Sequence, residues 1–157
     1  MIDATDILAA RILIVDDDAD ALATLAQVLT LHGYSAVATT TDPRAVHGLH
    51  RANDYDLILL DLHMPNMDGF AVMEDLREAE RDGYLPVLAI TGEDGHRMRA
   101  LKLGARDFLR KPVDPEELLL RVRNMIEVRL LYKERAPVDV RREGIASDNV
   151  VAFATKR

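Results

Sequence analysis

Four apolar runs in this chain each end on a polar residue, and those four stops constrain the fold more than any other feature. Arg11-Ile12-Leu13-Ile14-Val15 ends in Asp16-Asp17-Asp18, and Asp56-Leu57-Ile58-Leu59-Leu60 ends in Asp61. Pro86-Val87-Leu88-Ala89-Ile90 ends in Thr91, and Asp107-Phe108-Leu109-Arg110 ends in Lys111-Pro112. Apolar runs this short, separated by helix-like stretches, read as strands buried on both faces of a parallel sheet. The carboxyl ends of such strands lie along one edge, where ligands bind. A group of acids, an isolated carboxylate, a hydroxyl and an ammonium are therefore expected to meet in one pocket. That inventory suits a divalent cation and a phosphoryl group.

The stretches between the runs carry helix signals. Leu22, Leu25, Ala26 and Leu29 make an i, i+3, i+4, i+7 stripe over Ala19 to Leu31, and Gly33 closes it. Tyr34 to Ala38 is expected as a second strand. Asp42-Pro43 opens a helix to about Arg51 with a cap and a first-turn proline. Helices are expected over Gly69 to Arg81, with Phe70, Met73 and Leu76 inward, and over Gly95 to Leu103. Asp114-Pro115-Glu116-Glu117 starts the last helix. Five β and five α units alternate, which points to an α/β doubly wound sheet of five parallel strands with helices on both faces. The expected organisation is an N-terminal arm over 1–10, a domain over 11–135, and a tail or linker over 136–157.

The last helix outruns its sheet. A five-residue strand spans ~17 Å and needs roughly 11 residues of helix to cover it. The pattern Leu119, Val122, Ile126, Leu130 continues toward Tyr132. Leu130, Leu131 and Tyr132 are expected to face water unless a second copy of the chain, or Val150 to Phe153 of the tail, covers them.

A chain of 157 residues is long enough to bury a real core. It has no cysteine, which excludes a disulfide framework and thiol chemistry. No apolar run approaches the ~20 residues of a membrane span. The start, Met1-Ile2-Asp3-Ala4-Thr5-Asp6, lacks the basic residues of a signal peptide, so a cytoplasmic location is expected. The net charge of −7 is uneven: residues 1–115 hold 11 basic and 20 acidic side chains. An acidic body argues against direct DNA binding.

Asp16, Asp17 and Asp61 would repel and desolvate one another at a cost if their strands are neighbours. A hard cation removes the conflict. Mg²⁺ fits best, with Mn²⁺ as a substitute, because Mg²⁺ accepts one or two carboxylates and keeps several waters. Thr91 and Lys111 supply a hydroxyl and a positive charge to an anion held there. An aspartate can itself act as a nucleophile toward phosphorus. Asp18 reads as a helix cap, and Met64, Met67 and Met73 read as turn and core packing.

At these residues the sequence resembles the receiver domains of two-component response regulators, over roughly residues 10–131. Four motifs carry the likeness in order: Ile14-Val15-Asp16-Asp17-Asp18, Leu60-Asp61 through Met64-Pro65-Asn66-Met67-Asp68-Gly69, Ile90-Thr91-Gly92, and Phe108-Leu109-Arg110-Lys111-Pro112. The resemblance implies a flavodoxin-like sheet of strand order 2-1-3-4-5. It implies that Asp61 accepts the phosphoryl group from a sensor histidine kinase or phosphotransfer protein. Asp17 would hold Mg²⁺ directly, Asp16 through water, and the backbone carbonyl of His63 would complete the protein ligands. Thr91 would bond the phosphoryl oxygen, Lys111 would pair with it, and Phe108 would be the aromatic switch. A downstream protein would meet the face formed by the fourth helix (Gly95 to Leu103), the fifth strand and the last helix. Gly92 stands where alanine is frequent, and His63 and Glu93 sit at positions that tune phosphoryl lifetime.

Two other readings compete. Asp16-Asp17-Asp18 after a strand, with a later threonine and lysine, also resembles haloacid-dehalogenase-type phosphatases, whose nucleophile is the first-strand aspartate. That reading leaves Asp61 and the Met64 to Gly69 turn unexplained. The run Arg121 to Tyr132 resembles the connecting helix of receivers fused to cyclic-di-GMP phosphodiesterase domains.

Overall fold

The computed structural model describes residues 1–64, 69–80, 84–92 and 95–135. Strands β1 (Arg11–Val15), β2 (Ala36–Thr40), β3 (Leu57–Asp61), β4 (Val87–Thr91) and β5 (Asp107–Arg110) form one parallel sheet in the order β2-β1-β3-β4-β5. Around it lie α1 (Ala4–Leu8), α2 (Ala19–Leu31), α3 (Val46–Asn53), α4 (Gly69–Ala79), α5 (Gly95–Lys102) and α6 (Pro115–Arg135). A 3-10 turn over Pro43–Ala45 leads into α3. The alternating runs pointed to this doubly wound parallel sheet, and its strand order is the flavodoxin-like one that the resemblance implies. Residues 65–68 of the turn after Asp61, Glu93, and the whole tail, including Val150 to Phe153, lie outside the described residues.

Side chains two apart on a strand share a face. Ile12, Ile14, Leu57 and Leu59 therefore join Leu25 and Leu29 of α2 and Val122 and Ile126 of α6. Leu13, Val15, Ile58 and Leu60 face the other way, onto Val46 of α3, Met73 and Leu76 of α4 and Ala100 of α5. Each fully buried Leu or Ile contributes about 1.5–3 kcal/mol relative to exposure, as an upper bound. The central strands read as unbroken apolar runs because both of their faces are covered.

The second strand starts at Ala36, two residues later than its composition suggests. Gly33, at φ 99°, ends α2. There the Gly33 N–H donates to Thr30 O at 3.1 Å and the Tyr34 N–H to Leu29 O at 3.2 Å. The Ser35 N–H goes to Leu8 O at 3.1 Å, so pairing with β1 begins at Ala36 opposite Arg11. The third helix runs on to Asn53, where Asp54 adopts φ 51°. β3 begins one residue late, at Leu57, and the Asp56 carboxylate just before it accepts the Arg11 N–H at 2.9 Å.

The first ten residues contain α1, an element absent from the sequence reading. Its signal is the Asp3/Asp6 pair, in which each carboxylate accepts the other residue's backbone N–H at 3.0 Å. Ile7 is buried, and α1 packs against α6. α6 has 21 residues, which is ~31 Å of helix. Its buried stripe is Leu118, Val122, Met125, Ile126 and Arg129, turned slightly from the expected Leu119-based stripe.

The overhang is largely covered by the chain itself. Leu130 packs on the core that holds Ile7, and the Tyr132 ring lies tilted at 37° against that of Tyr84, with centroids 4.7 Å apart. Lys133 bonds Asp56 at 2.9 Å, and the N-terminal ammonium reaches Glu134 at 3.3 Å. Of the three residues expected to face water, Leu131 is the exposed one, at 38%. No described helix is long and apolar enough to cross a membrane.

Candidate functional site

The register brings the four polar stops together. Val15 pairs with Leu60, so Asp16 follows β1 at the level of Asp61. Asp61 pairs with Ile90, and Thr91 pairs with Arg110, so Thr91 and Lys111 each stand one step further along. Apolar side chains fill the strands up to this level. The polar residues then emerge at the carboxyl edge.

Asp16, Asp17 and Asp61 each offer a carboxylate oxygen, and these oxygens lie within 4.8 Å of one another. It is the one such grouping of histidines and acids among the described residues. Asp16 and Asp61 are 3% and 2% exposed, while Asp17 is open to solvent. Lys111 Nζ lies 3.3 Å from Asp61 Oδ1 and 4.0 Å from Asp16 Oδ2. The His63 N–H donates to the same Asp61 Oδ1 at 3.1 Å. Both contacts fall on Oδ1, and among the described residues Oδ2 accepts no hydrogen bond. The His63 ring itself is exposed. The Lys111 N–H donates to Thr91 O at 2.9 Å, and the Lys111–Pro112 peptide is cis.

The surrounding residues sort as their chemistry predicts. Asp18 caps α2, its Oδ1 accepting the Asp20 N–H at 2.9 Å and the Ala21 N–H at 3.4 Å. Met64 and Met73 are core. Among the described residues a Cβ on Gly92 would meet Lys111 Cβ alone, at 3.9 Å, so an alanine fits there without a clash. Phe108 is half-buried, with the Arg97 guanidinium 4.6 Å over its ring. One neighbour was missed by the sequence reading: His96 Nδ1 lies 3.3 Å from Thr91 Oγ1.

Asp16 carries the electrostatic strain of the pocket. Burial pushes its carboxyl up from 3.8 to about 6; the Asp18 N–H opposes the rise, and the charge of Asp61 adds to it. Below the ordinary carboxylate range both folded and unfolded chains hold this proton, and there is no penalty. As pH rises toward 6 the unfolded chain releases the proton first, so stability falls, and above about 6 the cost is constant. We predict that Asp16→Asn stabilises the metal-free protein at pH 7 by roughly 1–2 kcal/mol, and that the gain vanishes near pH 4. Urea unfolding at the two pH values checks this, and an equal effect at both would rule it out. The residues fit a hard cation: three carboxylates meet, one of them open to water.

An open parallel sheet thus carries three acids, a lysine and a buried hydroxyl at its carboxyl edge. The chain belongs to the response regulator receiver domain family, whose model matches residues 12–123. It is 38% identical over 129 residues to the response regulator PleD of Caulobacter vibrioides, covering 81% of this chain and 28% of PleD. It is 31% identical over 129 residues to the response regulator SaeR of Staphylococcus aureus, covering 82% of this chain and 55% of SaeR. The chain thus spans only part of the length of these relatives. Among solved structures it superposes on the chemotaxis protein CheY4 of Vibrio cholerae with a TM-score of 0.69, at 28% identity over 74% of this chain and 98% of that one.

Proposed function

We propose that the domain is a phosphorylation-driven switch in which Asp61 accepts a phosphoryl group from a histidine kinase or phosphotransfer protein. The observation that carries this reading is the state of Asp61. It is a buried carboxylate with Oδ1 engaged by Lys111 and the His63 N–H and with Oδ2 left to attack. In the transfer, Oδ2 forms a bond to phosphorus as the donor's N–P bond breaks, and that electron pair leaves with the donor imidazole. Lys111 holds the charge that develops on the phosphoryl oxygens. Asp17, Asp61 and the His63 carbonyl, with Asp16 through water, would hold a Mg²⁺ or Mn²⁺ ion, which would supply positive charge to offset the acids and the phosphoryl group.

Two surfaces fit the partners of such a switch. A cavity of ≈ 280 Å³ adjoins Asp16 and Lys111, with Leu25 and Val28 of α2 on one wall and Val113 and Leu118 on the other. Its apolar lining beside the charged pocket suits the docking of a phosphodonor protein. On α5 and α6, Met98 is 60% exposed, Leu120 60% and Val128 53%. These residues suit a downstream protein or a second copy of the chain. Residues 11–135 act as the unit, with the Thr91/Phe108 pair linking pocket to surface.

The test is intact mass after incubation with a small acyl phosphate, with Mg²⁺ and with chelator. We expect one phosphoryl group with Mg²⁺ and none with chelator. Asp17→Ala should lose most of the labelling, and Asp18→Ala should keep most of it. Equal labelling of the two variants would show that Asp17 is not a ligand, and labelling in chelator would remove the metal. Light scattering on the same samples reports the second copy: a strictly monomeric labelled form excludes it.

A further inference from the structure

We infer that the end of α6, from Arg129 onward, is a strap across the amino edge of the sheet, docked through an unsatisfied cation and poised to release. Arg129 is 3% exposed, and its Nε and Nη1 have no hydrogen-bond partner. Its Nη2 lies 3.8 Å from Asp54 Oδ1, beyond hydrogen-bond length. Asp54 is exposed, so water screens that attraction. The Tyr84 ring, with its centroid 5.0 Å from the guanidinium, adds a cation–π contact. An arginine cannot shed its charge on burial. Docking therefore strips water from a charge and from two donors and leaves both donors unbonded. Release of the strap returns them to water.

The two halves of α6 are held by different forces. Leu118, Val122, Met125 and Ile126 are buried in the main core. Beyond Arg129, Leu130 is half-buried against the core that holds Ile7, and Tyr132 lies tilted on Tyr84. The ion pairs described there are Lys133 with Asp56 at 2.9 Å and with Asp54 at 3.4 Å, and Glu134 with the N-terminal ammonium at 3.3 Å. Asp54, Glu134 and the terminal ammonium are exposed, so salt weakens these pairs. Sparse apolar burial and surface ion pairs mark a segment of low local stability. α1 packs on α6, so release also uncovers Ile7 and opens the cavity that Asp6 and Ala10 line with Leu130 and Lys133.

Arg129→Met separates a releasable strap from an ordinary anchor by the sign of its effect. It keeps an unbranched side chain and removes both the charge and the donors. The unphosphorylated full chain serves, so the outcome does not depend on Asp61. We expect the backbone amides of residues 130–134 to exchange with deuterium roughly threefold to tenfold more slowly in Arg129→Met than in wild type, through relief of the unsatisfied groups. The amides of Ile7, Ala9 and Ala10, which are bonded within and just after α1, should slow with them. Simple fraying of a helix end would leave α1 unmoved. In wild type, salt raised from about 10 mM to about 1 M shortens the screening length from roughly 30 Å to 3 Å. That rise should speed exchange in both segments and leave Leu118 to Ile126 unchanged. Equal or faster exchange in Arg129→Met would make Arg129 an anchor and overturn the strap. Exchange in wild type that ignored salt, or a salt response shared by the whole of α6, would overturn it as well.

Discussion

Asp61→Asn is expected to take up no phosphoryl group under conditions in which the wild type takes up one. The amide is nearly the same size as the carboxylate and can still accept the His63 N–H, now 3.1 Å from Oδ1. What it loses is the charge and the nucleophilic oxygen. The loss cannot be rescued by Asp16, although it lies in the same pocket. Asp16 Oδ1 already accepts the Asp18 N–H at 2.9 Å, and burial raises its carboxyl to about 6, which disfavours its charged form. The fold should survive, because the change removes one of two buried like charges and costs only the Lys111 contact. A urea midpoint at or above that of wild type, with intact mass unchanged by acyl phosphate, is the expected pair of results. Full labelling of Asp61→Asn would sink the assignment. Labelling that moved to Asp16 would favour the phosphatase reading, whose nucleophile is the first-strand aspartate.

The site was legible because its residues sit where strands end. Burial on both faces makes β1, β3 and β4 continuous apolar runs, and a charged residue directly after such a run has only the sheet edge to occupy. Helix ends were legible where the residue type closes them, as the Asp18 carboxylate and the positive-φ backbone of Gly33 do for α2. What failed was long-range. β2 is an edge strand with half-buried residues, so its composition does not mark its start; the bond from Ser35 N–H to Leu8 O does, and that depends on α1. Arg129, which was not singled out in the sequence, is 3% exposed. Its place at i+3 from Ile126 and i+7 from Val122 puts it on the buried stripe, where its guanidinium lies 5.0 Å from the Tyr84 ring and 3.8 Å from Asp54. Periodicity held that signal, although its charge argued against it. The Thr91–His96 bond left no trace, since a spacing of five across a strand end and a helix start has no fixed geometry.

Gly69→Ala should be the most damaging of the single-methyl changes in the domain. Gly69 opens α4, and its N–H donates to Leu62 O at 3.1 Å, drawing the helix start onto the end of β3. A Cβ there would stand 2.6 Å from Leu62 Cα, 2.8 Å from Asp61 O and 2.9 Å from Leu62 Cδ2. The first two are backbone atoms, so no rotamer relieves the clash; either α4 or the segment after Asp61 must shift. Overpacking of this kind costs about 1–3 kcal/mol, against a gain of at most ~1 kcal/mol from the helix preference of alanine. The net expectation is a loss of roughly 1–2 kcal/mol. The functional loss should be larger, because the displaced atoms belong to Asp61, the proposed acceptor, and its neighbour, and a misplacement of ~1 Å near a reacting group can cost on the order of 100-fold in rate. Gly48→Ala supplies the opposite case within the same protein. Gly48 lies inside α3, and a Cβ there meets nothing within 4 Å. That change should stabilise by about 0.5–1 kcal/mol and leave phosphoryl uptake untouched. Urea midpoints and initial labelling rates for both variants decide the matter. If Gly69→Ala matched wild type in both, the close approach of α4 to β3 would not be what holds Asp61 in place.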